Sequence, residues 1–294
     1  MQHATRIPIT GVHSPVYYVS DTSSTLDLAA ALLTDTTTAT PHLTTIIADR
    51  QSAGRGRLGR TWTTPDGQAL LASTIVSLPT SFPTEMLGWL VHACALSVRD
   101  ALSPRLTPLG HTVSLKWPND VLVDGARKVC GILAQLAPAS SPFTTSAILG
   151  YGINIAQDSD HLATPQATSL FAEGDAEAGA DPTSVSHTLL AQILKGLDSR
   201  IRGLVTHGNA RDCGLADEAA NALPLLGTRI ALAKPTDPNG HPAMEGVALG
   251  LSPTGSLLVR TDDGRTHDIN AGDVLATGLP LTTVHDTKEK RANN

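Results

Sequence analysis

The sequence is poor in cysteine, aromatic residues and positive charge, and it has no long apolar run. Its three cysteines form no paired-cysteine motif, which excludes a disulfide framework or a zinc site built from such pairs and favours reduced thiols. The formal net charge of −6 and the aromatic fraction of 3% argue against a general nucleic-acid-binding surface. No segment approaches the roughly 18 apolar residues of a membrane span, and no signal peptide is recognisable. We therefore expect a cytoplasmic protein without a membrane partner.

The chain nevertheless carries the patterning of a mixed α and β protein. Helices are predicted to begin near Ser24, near Thr84 and after Pro182, and they alternate with short apolar strands. From Gly227 onward, short β-rich runs separated by Gly, Asp and Pro turns are typical of a small barrel. The predicted divisions are a polar tail (1–15), a main domain (16–222), a β barrel (223–280) and a second polar tail (281–294).

A loop rich in glycine and arginine, AGRGRLGRTW, occupies residues 53–62. Residues 54–59 have the spacing of a dinucleotide-binding fingerprint, which requires a helix directly after the loop. Residues 60–65 are β-branched and end in proline, so they offer no helix N-terminus to a pyrophosphate. Two interpretations stay open. Either Arg55 and Arg57 clamp a small anion by charge-assisted hydrogen bonds, or the loop is solvated or contacts RNA.

Further polar residues follow in the central strands. The segment Lys116-Trp-Pro-Asn-Asp120 forms a tight corner, and Lys128 lies across a hairpin predicted from Asp124-Gly125. Gly150 and Gly152 interrupt a later strand, where a ligand could lie against the backbone. Together these features suit a site for two anionic substrates. The alternatives are a turn-forming Asn-Asp pair and a solvated hairpin lysine.

The motifs AGRGRLGRTW, KWPNDVLVDGARKVCGIL and GYGINI, in this order, resemble those of biotin–protein ligases. The resemblance covers about residues 16–280 and includes the weaker Ser23-Ser24-Thr25. It implies an α+β fold of the class II synthetase type, with a mixed, largely antiparallel sheet packed with helices. Residues 16–222 would then bind biotin and ATP, and residues 223–280 would form an SH3-like domain.

The resemblance implies an ATP-dependent ligase that forms a C–N bond. Such enzymes convert biotin and ATP to biotinyl-5′-adenylate and pass biotin to one lysine of a biotin carboxyl-carrier domain, here of an acetyl-CoA, acyl-CoA or pyruvate carboxylase. Mg²⁺ would accompany ATP, near Asp120. Because only about 15 residues precede the first strand, we expect a monofunctional enzyme without a DNA-binding domain. The expected assembly is a monomer or weak homodimer.

The resemblance also implies roles for individual residues. Lys128 would touch both the biotin carboxylate and the attacked phosphate, and Trp62 would stack on adenine unless it is a core residue. Where the family often has Asn after Ser-Thr, this chain has Leu26. The implied catalytic residues are Lys128, Arg55 and Arg57. The implied biotin-binding residues are Ser24, Thr25, Gln51, Gly54, Arg55, Gly56, Arg57, Lys128 and Gly150. The implied ATP-binding residues are Arg57, Trp62, Lys116, Asn119, Asp120 and Asn154.

Two other functions stay open on the sequence: a lipoate–protein ligase and an arginine-loop RNA-binding module. The arginine loop and the terminal barrel favour biotin over lipoate. Measuring ATP–pyrophosphate exchange with each acid would distinguish the two ligases. Strongly salt-sensitive RNA binding without adenylate formation would support the RNA module.

Overall fold

The computed structural model describes residues 4–35, 37–141, 144–233 and 242–277. The chain divides into two compact units, of which the first comprises residues 1–224 with 253–255 and the second residues 225–252 with 256–294. The boundary predicted after residue 222 lies close to this division. The polar tail predicted over residues 281–294 lies outside the described residues.

The first unit is built on one eight-stranded sheet. In chain order its strands are β1 (Thr5–Ile7), β2 (Val16–Thr22), β3 (Thr45–Gln51), β4 (Ala69–Pro79), β5 (Val113–Lys116), β6 (Asp120–Val123), β7 (Arg127–Ser141) and β8 (Thr144–Asn154). Their spatial order is β1-β2-β3-β4-β8-β7-β6-β5. Neighbouring strands are antiparallel except β2 and β3, which are parallel. The prediction of a mixed, largely antiparallel sheet is confirmed.

The polar tail predicted over residues 1–15 is wrong for its described part. Strand β1 pairs with β2 and places Thr5 opposite Tyr18, and Ile9 is buried. A three-residue edge strand is bonded on one side only, so its sequence needs no apolar run. The polar composition of residues 1–15 therefore gave no sign of strand β1.

The described residues contain five α-helices: α1 (Thr25–Thr34), α2 (Leu87–Leu106), α3 (Ala176–Ala180), α4 (Pro182–His207) and α5 (Leu215–Ala222). Helix α1 packs on the sheet through a cluster that includes Leu26, Leu32 and Ile148. Helix α4 begins at Pro182, close to its predicted start, because the Asp181 carboxylate caps it by accepting a hydrogen bond from the Ser184 N–H. No helix among these is both long and apolar enough to cross a membrane.

The second unit contains a five-stranded antiparallel sheet. Its strands are β9 (Arg229–Ala233), β10 (Pro242–Leu251), β11 (Leu257–Arg260), β12 (Thr266–Ile269) and β13 (Asp273–Thr277), in the spatial order β12-β11-β10-β9-β13. Buried Arg229 bonds both carboxylate oxygens of Asp262, at 2.6 and 2.7 Å. The predicted C-terminal β domain is confirmed.

The three thiols differ in burial. Cys94 and Cys130 are buried, whereas Cys213 is partly exposed. Burial raises the pKa of the Cys94 thiol to about 12, and it also raises the pKa of Cys130 well above its ordinary value. Because the thiolate is the reactive species, both buried thiols should be inert in the native protein.

We therefore expect iodoacetamide at mildly alkaline pH to label Cys213 first, with Cys94 and Cys130 modified only after unfolding. Peptide mass spectrometry of native and urea-unfolded samples measures the order. A Cys213→Ser variant should stay unlabelled while native. Fast native labelling of either buried cysteine would contradict the inertness expected here.

Candidate active site

The loop at residues 53–62 folds back on itself as a short hairpin. Trp62 N donates to Gly54 O at 2.9 Å, and Gly56 N donates to Arg60 O at 2.7 Å. The only helical piece is a single 3₁₀ turn, Arg57–Gly59, followed by extended backbone. Gly54 is required by close packing, since a Cβ there would lie 2.3 Å from Trp62 O. The loop thus lacks the helix of a dinucleotide fold, as its sequence predicts.

The two arginines predicted to share one ligand have different partners. Arg55 Nη2 donates to Asp27 Oδ1 at 2.6 Å, in the first turn of α1, and both side chains are exposed. Arg57 Nη1 donates to Asn119 Oδ1 at 3.2 Å. An exposed ion pair stabilises a fold by only about 0–1 kcal/mol, so Arg55 can exchange Asp27 for an anionic ligand readily.

The corner between β5 and β6 is fixed against β7. Asn119 Nδ2 donates to Ile132 O at 2.6 Å, and Ile132 N donates to Asn119 O at 3.0 Å. Lys116 and Asp120 stand opposite each other where β5 and β6 begin to pair. Three predicted ATP contacts, Lys116, Asn119 and Asp120, therefore lie at one hydrogen-bonded corner, and Asn119 there also accepts from Arg57.

Lys128 lies between a carboxylate and an indole. Its Nζ is 2.7 Å from Asp120 Oδ1 and 5.5 Å from the centroid of the Trp62 ring. The Asp124-Gly125 signal explains this placement, because both residues have left-handed φ values, 51° and 66°, that turn the chain tightly into β7. The ammonium is thus held by partners in the first unit and not only by solvent.

Two glycines provide a flat platform beside this lysine. Gly131 of β7 and Gly152 of β8 are paired directly across the ladder. A Cβ at Gly152 would lie 2.5 Å from Trp62 Cε2 and Nε1, and one at Gly131 would lie 3.1 Å from Lys128 Nζ. The indole therefore rests on bare backbone. Its Nε1 is buried and has no hydrogen-bond partner among the described residues.

The sequence singled out Gly152 but missed Gly131, whose signal was a glycine inside the strand motif KVCGIL. A third glycine, Gly150, packs against a different side chain, that of Leu26. A Cβ at Gly150 would lie 2.8 Å from Leu26 Cγ, so Leu26 fills the space above that residue. Leu26 is the position at which the chain departs from the common Ser-Thr-Asn pattern. In this structure it closes over Gly150 and joins the apolar cluster under α1.

Ser24, Thr25 and Gln51 come together as a polar group. Gln51 Oε1 accepts from Thr25 N at 2.8 Å and from Thr25 Oγ1 at 3.0 Å. Ser73, which the sequence did not single out, donates to Thr25 Oγ1 at 2.8 Å. Ser24 Oγ is buried without a hydrogen-bond partner among the described residues. Leaving such a hydroxyl unpaired costs about 1–3 kcal/mol, a cost that a polar ligand at this position would remove.

Asn154 is engaged elsewhere. Its Nδ2 donates to Thr168 O at 2.9 Å, and its Oδ1 accepts from Gln157 Nε2 at 3.2 Å. The side chain is buried. Because both ends of this amide brace the segment after β8, its contact with adenosine stays a prediction.

Known proteins share sequence segments with both parts of this chain. Residues 18–154 match the biotin/lipoate A/B protein ligase family, and residues 236–275 match the biotin protein ligase C-terminal domain. A biotin–[acetyl-CoA-carboxylase] ligase of Mycobacterium tuberculosis is 34% identical over 230 residues, which are 78% of this chain and 77% of that protein. The chain belongs to the biotin–protein ligase family.

Other members of the biotin–protein ligase family extend the likeness. A biotin–[acetyl-CoA-carboxylase] ligase of Paracoccus denitrificans is 31% identical, over 75% of this chain and 85% of that protein. The structure of an Aquifex aeolicus biotin protein ligase in complex with biotin and ATP aligns with a TM-score of 0.63 and 25% identity, over 88% of this chain and 97% of that one. The chain spans 63% of the length of a bifunctional ligase/repressor from Bacillus subtilis. The predicted family and fold are confirmed.

Proposed function

We propose that this biotin–protein ligase activates biotin with ATP to biotinyl-5′-adenylate and transfers the biotinyl group to a lysine of a carboxyl-carrier domain. The observation that carries the proposal is the grouping of Lys128, Asp120 and Trp62 over the paired glycines Gly131 and Gly152. Two relatives named biotin–[acetyl-CoA-carboxylase] ligase and the match to the biotin protein ligase C-terminal domain support biotin over lipoate. Family membership also argues against the RNA-binding alternative.

In the first step a carboxylate oxygen of biotin attacks the α-phosphorus of ATP. The bond from that phosphorus to the β-phosphate oxygen breaks, and pyrophosphate leaves. The carboxyl group is already ionised at neutral pH, so no general base is needed. The barrier is the repulsion between an anion and a polyanion, which fixed cations lower. Lys128 supplies the central cation, and Arg57, held at Asn119, supplies a second one.

Magnesium enters with ATP as part of the substrate. Mg²⁺ in such sites is usually held by one or two carboxylates together with substrate phosphates. The donor set here fits that pattern, because Asp120 contributes a carboxylate beside the Lys128 ammonium. Asp120 would hold the ion, which supplies further positive charge to the phosphates.

In the second step the neutral amine of a carrier lysine attacks the acyl carbon of the adenylate. An amide bond forms, the bond from that carbon to the phosphate oxygen breaks, and AMP and one proton leave. The names of the relatives point to the carrier of acetyl-CoA carboxylase, with acyl-CoA and pyruvate carboxylases as further candidates. A monomer or weak homodimer stays a prediction.

The test is mass spectrometry of an isolated carrier domain incubated with this protein, biotin and Mg·ATP. We expect a gain of one biotinyl group on one lysine, dependent on both substrates. A carrier whose target lysine is replaced by arginine is the control. No gain on a carrier that another biotin ligase modifies, or a preferred gain with lipoate, would contradict the proposal.

Replacement of Arg55 should let the adenylate escape. Since Arg55 is exposed and its guanidinium pairs with the exposed carboxylate of Asp27, it can turn to an anionic ligand. Losing one charge-assisted hydrogen bond weakens the binding of a ligand by about tenfold or more. Arg55→Ala should therefore raise the adenylate dissociation rate by at least that factor. Stopped-flow chase with unlabelled biotin measures it.

The matched control is Arg202→Ala, which removes another exposed arginine paired with an aspartate, Asp198, on helix α4. It should leave the dissociation rate unchanged. Equal adenylate retention in wild type and Arg55→Ala would argue against a clamp.

A further inference from the structure

Arg127, the residue before Lys128, is held by the carboxylate of Glu173. Arg127 Nε donates to Glu173 Oε1 at 2.5 Å, and Nη2 donates to Oε2 at 2.8 Å. Thr168 Oγ1 donates to the same Oε1 at 2.6 Å. The Glu173 side chain is only 7% exposed. A two-pronged arginine–carboxylate pair of this kind fixes geometry as well as charge.

The segment that carries Glu173 also bonds the backbone of Lys128. Lys128 N donates to Gln166 O at 2.7 Å, and Thr168 N donates to Lys128 O at 2.8 Å. Both backbone polar groups of the lysine therefore have partners in residues 166–168. Residues 166–168, which lie outside the β6–β7 hairpin, therefore help to fix the position of the Lys128 backbone.

The Glu173 carboxylate lies in a network of ion pairs. Burial acts to raise the pKa of the Glu173 carboxyl, but hydrogen bonds from Arg127 and Thr168 outweigh it and hold that pKa below its ordinary value. His111 contacts Asp124 through Nδ1 at 2.9 Å and Glu173 through Nε2 at 3.4 Å. These three side chains could act as metal ligands, but the guanidinium of Arg127 already bonds both carboxylates. The cluster is thus an ion-pair network in which the Arg127 guanidinium supplies the positive charge.

We propose that Glu173 is a positioning residue for Lys128. Through Arg127 it anchors residues 166–173 to the start of β7, with Thr168 fixing its carboxylate, and it thereby sets where the lysine ammonium lies relative to Asp120 and Trp62. The inference rests on the role proposed for Lys128 in adenylate formation. It is physically reasonable because misplacing a reacting group by about 1 Å can lower a rate by about a hundredfold.

The test is Glu173→Gln, which keeps the side-chain shape and removes its charge. Biotin-dependent ATP–pyrophosphate exchange should show kcat per active site lowered by about tenfold to a hundredfold. The KM values for biotin and ATP should change by less than about twofold, because the proposed function places neither substrate on Glu173. Thr168→Val, which removes one donor to the carboxylate, should give a smaller loss in kcat.

The matched control is Glu177→Gln, the same substitution on a carboxylate that is 64% exposed and pairs with Arg105 instead. It should leave kcat unchanged. Active sites are counted by the burst of adenylate in a single turnover, so that a loss of folded protein is separated from a loss of rate.

A purely structural Glu173 would lower the unfolding midpoint and the burst amplitude but leave kcat per site at the wild-type value, and that result would overturn the proposal. An equal loss in Glu177→Gln would overturn it too. If Glu173→Gln does not fold, an unchanged kcat per site in Thr168→Val would have the same force. Wild-type protein without biotin-dependent exchange would instead refute the proposed function, and this role of Glu173 with it.

Discussion

Replacement of Lys128 by alanine should lower the rate of adenylate formation by on the order of 10²–10³-fold while the fold stays intact. The ammonium lies 2.7 Å from Asp120 and beside the glycine platform, where the two anionic substrates would meet. Its side chain is one-third exposed and is not part of the buried core, so the fold should survive its removal. Single-turnover formation of biotinyl-5′-adenylate, with circular dichroism as the check on folding, measures the effect.

Two further variants make this result specific. Lys195→Ala removes an exposed lysine of helix α4 and should behave as wild type. Lys128→Arg keeps the charge but replaces a compact ammonium by a planar fork, so most of the loss should persist. Near-normal turnover in Lys128→Ala would reject the assignment of this residue as the central cation.

Substitution of Gly152 by alanine should be the second most damaging change. The added methyl group would lie 2.5 Å from the Trp62 indole, and the ladders to β4 and β7 hold the strand on both sides. The ring must therefore leave the platform. We expect kcat/KM for exchange to fall by about tenfold to a hundredfold, with a loss of about 1–3 kcal/mol in the free energy of unfolding from overpacking.

Tryptophan fluorescence can follow that displacement. Of the three tryptophans, Trp89 and Trp117 are buried, so a rise in acrylamide quenching would report Trp62. Gly250→Ala is the matched control, because this strand glycine has nothing within 4 Å of an added Cβ. If Gly152→Ala kept both the wild-type quenching and the wild-type kcat/KM, the indole would not depend on bare backbone at this point.

Local signals in the sequence predicted local structure well. Asp124-Gly125 formed the expected tight turn, Asp181 capped the expected helix, and the residues after the arginine loop gave no helix. Each of these outcomes depends on a few neighbouring residues. The strand Thr5–Ile7 escaped because an edge strand needs partners but little apolar character.

The site required more than local signals. The pairing of Gly131 with Gly152 depends on strand register, and the contact of Leu26 with Gly150 depends on how α1 lies on the sheet. Neither can be derived from spacing in one sequence. The grouping of Ser24, Thr25 and Gln51 came from the resemblance, and the contacts made by Glu173 had no signal at all.

The parallel pairing of β2 and β3 has a consequence for this grouping. Parallel neighbours end at the same edge of a sheet, and here Thr22 stands opposite Gln51 at their carboxyl ends. The chain leaves β2 at that edge and starts α1 within three residues, at Thr25. Connectivity alone thus brings Thr25 and Gln51 together, whereas an antiparallel pair would separate them by the length of a strand. A crossover in an otherwise antiparallel sheet is the topological origin of this polar group.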